Sequence, residues 1–377
     1  MVPFPLLRVL LLAVLVVAAI AAGVAAVDIH RHDKASPQRR VEHRHPPEAA
    51  KRQDRPRSVT LTWVGDISLS SSYGLPAQPG STPLFADVKR RLGATDITIA
   101  NLEGTLGSGG GSKCSGGGGN CFAFQAPPAY ARVFRRAGID VMNVANNHAY
   151  DFGPEGQRQT LAALKHARIA HSGRPGQVLI RRVRGVRLAI LGFAPYRWAA
   201  ELRDIKGAKR LVRRARRKAD VVVVVIHAGA EGADQTHTPA GTEIAFGENR
   251  GQTRRFAHAA VRAGADLVLG SGPHVVRGLE RYRGRLIAYS LGNFLGYHTF
   301  STGGTLSVSG ILRVRVAPSG RPLGGRWISV QLDGAGIPHL DPARQSAQLV
   351  RQLSVEDFGR RAYPMTAAGR LGPAGRG

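Results

Sequence analysis

The chain has 377 residues, enough to bury a full core in one large domain or two smaller ones, and carries 53 Lys+Arg against 25 Asp+Glu for a formal charge of +28. A surface this basic suits a polyanion, whether nucleic acid, anionic lipid or an acidic polymer, or else reflects an arginine-rich coding bias spread over solvated positions. There is no zinc-finger spacing and no RNP-type aromatic motif, and aromatics are only 6% of residues, which argues against a nucleic-acid partner.

Residues 9–27 form an unbroken run of apolar and small side chains after Arg8, close to the length of one membrane-spanning helix. Val24-Ala25-Ala26 offers a small-residue cleavage site, so the run reads as a retained anchor or as a long signal-peptide core. Its length favours the anchor. The flanking charge points the other way, because Arg31, Lys34, Arg39, Arg40 and Arg44 follow the run and the positive-inside rule places that side in the cytoplasm. Long domains cross regardless of such charges. The expectation is therefore a single-pass protein of the cell membrane with its domain outside the cytoplasm, or a secreted form after cleavage. Residues 28–57 are rich in Arg, His and Pro without apolar periodicity and read as a disordered basic tether. His30, His32, His43 and His45 fall there and read as linker rather than as metal ligands.

From residue 58 strand and helix patterns alternate. Strands are expected at 58–64, 96–100, 139–145, 221–226 and 265–269, with helices at 81–92, 127–137, 155–167, 202–219 and 254–263 between and around them. Ser81-Thr82-Pro83 supplies a cap and a first-turn proline for the first helix. Arg184-Gly185 and Arg283-Gly284 each sit between short apolar runs and read as hairpin turns. Two more strands are expected at 306–316 and 327–332, then a helix at 342–353 and a disordered tail after Pro364. The folded domain is thus placed at 58–335, with 336–377 as a C-terminal helix and tail. Cys114 and Cys121 lie in a Gly/Ser loop; outside the cell they read as a disulfide, since no further cysteine completes a thiolate metal site. That loop lacks a Gly-Lys-Ser/Thr signature, so it is no nucleotide-binding P-loop. Asp151-Phe152-Gly153 stands without the other kinase motifs and is not a kinase signature.

Polar signatures stand at or just beyond the ends of the strand-like runs: Gly65-Asp66, Asn101-Leu102-Glu103, Asn146-Asn147-His148, His227 with Glu231, and Pro273-His274. Loops converge where parallel strands end, so these residues are expected to share one site. Their oxygen and imidazole donors suit Mn, Fe or Zn, and the candidate ligands are Asp66, Asn101, Glu103, Asn147, His227 and His274. Asn293 in the Leu291-Gly292-Asn293-Phe294 stretch reads first as turn chemistry.

On Val64-Gly65-Asp66, Ala100-Asn101-Leu102-Glu103-Gly104, the stretch from Ala145 through Asn146-Asn147-His148 to Gly153, Ile226-His227, Gly272-Pro273-His274 and Tyr289-Ser290-Leu291-Gly292-Asn293-Phe294, the chain resembles the CapA family of capsule-synthesis proteins from poly-γ-glutamate-producing bacteria. The resemblance covers about 58–335. That family is in turn similar to calcineurin-like metallophosphoesterases, which implies a four-layer α/β sandwich, two mixed sheets flanked by helices, with a site for one or two divalent metal ions. It casts Asp66, Asn147, His227 and His274 as ligands, Asn101 and Glu103 as occupants of the bridging-aspartate position, and His148 as proton donor to a leaving group. Glu231 is then a ligand, an orienter of an imidazole, or a general base. Ser68 stands where the phosphoesterase pattern has a histidine, and the last motif keeps only His274, departures that leave one metal rather than two or a weak site filled only with substrate. The resemblance implies a partner among anionic polymers or cell-envelope glycans, together with other capsule-synthesis subunits. Three functions follow: an accessory protein for such a polymer, a metal-dependent hydrolase of phosphoester or γ-amide bonds, and a binding module without turnover.

Overall fold

The computed structural model describes residues 58–76, 78–116 and 121–373. The expected anchor at 9–27 and tether at 28–57 lie outside the described residues, and among those described no helix is long and apolar enough to cross a membrane.

Two mixed sheets form the centre. The first is nine-stranded, with Pro338–Leu340, Pro322–Leu332, Val308–Val316, Val59–Ser68, Ile97–Leu102, Val141–Asn143 and Ala170–Ser172 side by side. The second is seven-stranded and runs Leu279–Tyr282, Arg285–Ala288, Leu267–Ser271, Val221–His227, Val186–Ala194 and Leu179–Val183. Period-two alternation along the strands explains why they stack. Leu61 and Trp63 share one core with Val223 and Val225, while Val64 and Ile67 face away from it. Val222, Val224 and Ile226 likewise turn to the opposite side of the second sheet. Both faces of Val221–His227 are buried, which its unbroken apolar sequence requires.

The helices cover the outer faces. Three of them, α1 (Lys89–Leu92), α2 (Tyr130–Arg136) and α3 (Gly153–His166), put Leu92, Phe134 and Leu164 against the first sheet. On the second sheet, α4 (Ile205–Arg216) and α5 (Thr253–Ala263) place Val212 and Phe256. The order helix, sheet, sheet, helix is the four-layer sandwich expected.

Several elements depart from the sequence reading. The helix expected at 81–92 is mostly turns, closed by short bonds such as Ala86 N to Pro83 O, and only α1 completes it. The first strand continues beyond residue 64 to Ser68, and the second includes Asn101, so Asp66 and Asn101 lie within strands rather than after them. The strand leaves Val308–Val316 after Val64 and pairs from Asp66 with Asn293–Gly296, with a register shift at Asp66/Ile67. The C-terminal stretch is part of the same body. Helix α6 (Gln345–Phe358) buries Ala347 and Val350 in the core between the sheets. The expected disordered tail instead forms Arg370–Leu371, which pairs with Gly325 and Arg326 and buries Leu371. A tail of Gly and Arg carries no periodicity, and only tertiary pairing orders it. Cys114 and Cys121 are disulfide-bonded.

Gly65 is where two backbones pass closest. A Cβ there would stand 1.8 Å from Gly292 O. Gly65→Ala is expected to cost about 1–3 kcal/mol of stability by forcing these segments apart; a thermal unfolding midpoint equal to that of the parent would contradict this close approach.

Candidate metal centre

The strand ends of both sheets open at one edge. Asp66 arrives from the first strand, Asn101 from its parallel neighbour and Glu103 just beyond, while His227 ends the central strand of the second sheet. Asp66, Asn101, Glu103 and His227 are all fully buried. One oxygen or nitrogen from each of Asp66, Glu103 and His227 lies within 4.8 Å of the others. His274 closes the group, with Nε2 at 3.5 Å from Glu103 Oε1 and Nδ1 at 3.7 Å from Asp66 Oδ2. Glu231 stands at its rim, 3.6 Å from His274 Nε2, and Asn147 reaches Glu231 at 3.5 Å.

Asn101 organises the group. Its Nδ2 donates to Asp66 Oδ1 at 2.7 Å and lies 3.1 Å from His227 Nδ1. Its Oδ1 accepts from Asn143 at 2.8 Å and Asn146 at 3.2 Å. Both atoms are engaged with protein groups, so Asn101 ties together the side chains of four neighbours at the site. Asn293, expected as turn chemistry, accepts from His274 Nδ1 at 2.8 Å and thereby turns the lone pair of Nε2 toward Glu103. His274 itself adopts a left-handed φ of 63°, an unusual backbone state at a site residue.

The buried atoms test whether a cation fits. Glu103 has no hydrogen-bond partner on either oxygen, and His227 Nε2 and Asn147 Oδ1 also have none. Buried polar groups are nearly always paired, and a bare carboxylate is among the costliest exceptions. Burial, then the charges of Asp66 and Glu231, push the Glu103 carboxyl well above its ordinary range. Burial also opposes ionisation of Asp66, but hydrogen bonding and charge from His227, with His274 and Ser271, hold it below its usual value. Burial lowers the His227 pKa against the opposing pull of Asp66. Buried carboxylate oxygens without hydrogen-bond partners beside two imidazoles make a donor set that fits a divalent metal ion.

His148 belongs to a second layer of the site. Its Nδ1 pairs with Asp151 Oδ2 at 2.7 Å, and burial lowers its pKa against the opposing pull of Asp151. Asp151 is fixed in turn by Phe124 N at 2.7 Å and Lys113 Nζ at 2.7 Å, and Phe124 packs on the imidazole with centroids 4.3 Å apart. Sequence reasoning missed Asp151 and Lys113, although the three-residue spacing of His148 and Asp151 was visible. It also missed Arg250, which pairs with Glu231, and the buried Arg277–Glu243 pair at 2.7 Å. Glu243 accepts from Ala230 N at 3.0 Å, so this pair fixes the residue before Glu231. These partners come from distant loops with no shared pattern.

Asn101→Leu removes one donor and one acceptor that serve four neighbours while keeping the side-chain volume. It is expected to destabilise the fold by about 1–3 kcal/mol for each polar group left bare. Chemical denaturation measures it, and a loss under about 0.5 kcal/mol would remove Asn101 from the centre of this network.

Comparison with known proteins places the chain. The family described as Bacterial capsule synthesis protein PGA_cap matches residues 60–298. "PGA biosynthesis protein CapA" of Bacillus subtilis (strain 168) is 27% identical over 63% of this chain and 63% of its own length. "Capsule biosynthesis protein CapA" of Bacillus anthracis is 27% identical over 63% of this chain and 59% of its own length. The match therefore spans less than two thirds of these curated relatives. Among solved structures, a 5'-nucleotidase precursor from Thermus thermophilus aligns with a TM-score of 0.43 and 15% identity, over 75% of this chain and 56% of that one. With the family match covering most of the chain, this protein belongs to the bacterial capsule synthesis protein PGA_cap family.

Proposed function

We propose that this chain is an extracytoplasmic accessory protein for an anionic capsular polymer such as poly-γ-glutamate, built around a divalent-metal centre that acts on the polymer or its precursor. The observation that carries the reading is Glu103, buried with both oxygens unpartnered and facing two imidazoles. The names of the relatives supply the polymer class, and the Cys114–Cys121 disulfide favours an oxidising compartment. The apolar run at 9–27 would serve as the membrane anchor, or as a signal removed on secretion.

Asp66, Glu103, His227 and His274 would hold the ion, with Asn147 Oδ1 as a further donor. A bound divalent cation supplies Lewis acidity toward a carbonyl or phosphoryl oxygen. The protein's own contribution is orientation and proton handling. Asp151 holds Nδ1–H of His148, which leaves the Nε2 lone pair to take up a proton from water and, as the imidazolium, pass it to a departing amine or alkoxide. Arg250 pins Glu231, which suits Glu231 to steering His274 and the substrate more than to abstracting a proton. Other capsule-synthesis subunits are the expected partners.

Glu103→Gln separates function from stability, because it removes a buried charge along with a ligand. In metal-free protein the variant is expected to melt higher than the parent, at roughly 2–4 °C for each kcal/mol relieved. Added Mn or Zn should raise the melting point of the parent alone. If metal-free parent and variant melt alike, and metal shifts both or neither, the centre is not a metal site.

His148→Ala addresses turnover. Elemental analysis should find its metal retained while His227→Ala and His274→Ala lose theirs, and hydrolysis of polymer should fall by about 10²–10⁴-fold. Parent-like hydrolysis by His148→Ala would remove it as proton donor. For placement, protease added to intact protoplasts should degrade the domain; full protection would put it in the cytoplasm.

A further inference from the structure

A groove of about 890 Å³ runs beside α4, and its charge is not balanced. Arg210, Arg213, Arg214 and Arg217 line it at i, i+3, i+4 and i+7, so they fall on one helix face about 5–6 Å apart. Arg197 adds a fifth guanidinium from the adjoining loop. All five are exposed. The two carboxylates that line the groove are already engaged: Glu201 pairs with Arg203 at 2.9 Å, and Asp204 caps α4 through Gly207 N at 2.9 Å. Arg214 bonds the Gly176 carbonyl. Among the described residues, none of these arginines has a carboxylate partner.

The loop that lines the groove contacts a metal-centre loop. Arg197 and Ala199 line it, and Trp198 between them donates through Nε1 to Asn146 O at 2.9 Å, next to Asn147 and His148. Trp198 also stacks with Tyr150 and Tyr196, centroids 5.4 and 4.9 Å away, which fixes the loop between groove and centre. Tyr196 bonds Glu248 at 2.6 Å. One rigid segment therefore borders both places.

We propose that the arginine groove beside α4 binds an acidic polymer through successive carboxylates and leads it toward the metal centre. The proposal rests on the polymer reading of the function and adds where the chain is gripped. A single exposed ion pair is weak and screened by salt, so such a row selects for many linked charges over a monomer. The concave shape and the row of like charges along one face suit an extended strand.

The test measures anisotropy of fluorescein-labelled polyglutamate with the full chain and with a variant carrying Arg197→Gln, Arg210→Gln, Arg213→Gln and Arg217→Gln. Arg214 is kept because it bonds the backbone. The parent is expected to bind the polymer, to ignore monomeric glutamate and to weaken with added salt. The variant should bind about tenfold or more weaker with an unchanged circular dichroism spectrum and unchanged metal content. Equal polymer affinity in parent and groove variant would overturn the proposal. So would parent binding to phosphatidylglycerol vesicles without polymer binding, which would make the face a membrane surface. A parent that binds polymer through the groove yet carries no metal would defeat the metal-centre reading alone.

Discussion

Asn101 joins the two sheets at their open edge, and the rest of the site depends on that joint. One amide touches Asp66 from the first sheet and His227 from the second. The shared core sets the spacing of the sheets, so the strand ends meet only because Leu61, Trp63, Val223 and Val225 pack at a fixed separation. Glu103 and His274 then fall opposite one another without a covalent tie. A loosened core would move ligands that are far from it in sequence.

The electrostatics work against the fold. Asp66, Glu103 and Glu231 crowd together, and Arg250 compensates only at the rim, where it pairs with Glu231. Such a cluster costs stability unless a cation or a proton offsets it.

Much of this was legible from residues. The strand-end signatures pointed to Asp66, Glu103, His227 and His274, which the fold brings close together, because apolar runs of strand length fix where a parallel sheet must end. The unbroken apolar run at 221–226 announced a strand buried on both faces. Distances between loops were not legible. Nothing local tells that Asn293 turns His274, or that Lys113 and Phe124 close on Asp151, since those contacts depend on how long connections fold back. The helix expected at 81–92 failed for a related reason: the cap and proline signalled a start, but tertiary packing of Leu84, Phe85 and Val88 selected turns instead. The tail at 370–371 was ordered by an edge strand that no local pattern predicts.

The disulfide acts on the site through chain statistics. Lys113 precedes Cys114 directly, and Lys113 is the ammonium that meets Asp151, which orients His148. A glycine- and serine-rich segment left open would spread that ammonium over a wide volume. The crosslink, with a sequence separation of 7, shrinks the volume and so raises the local concentration of the lysine at Asp151. The imidazole therefore draws part of its alignment from entropy withdrawn elsewhere in the loop.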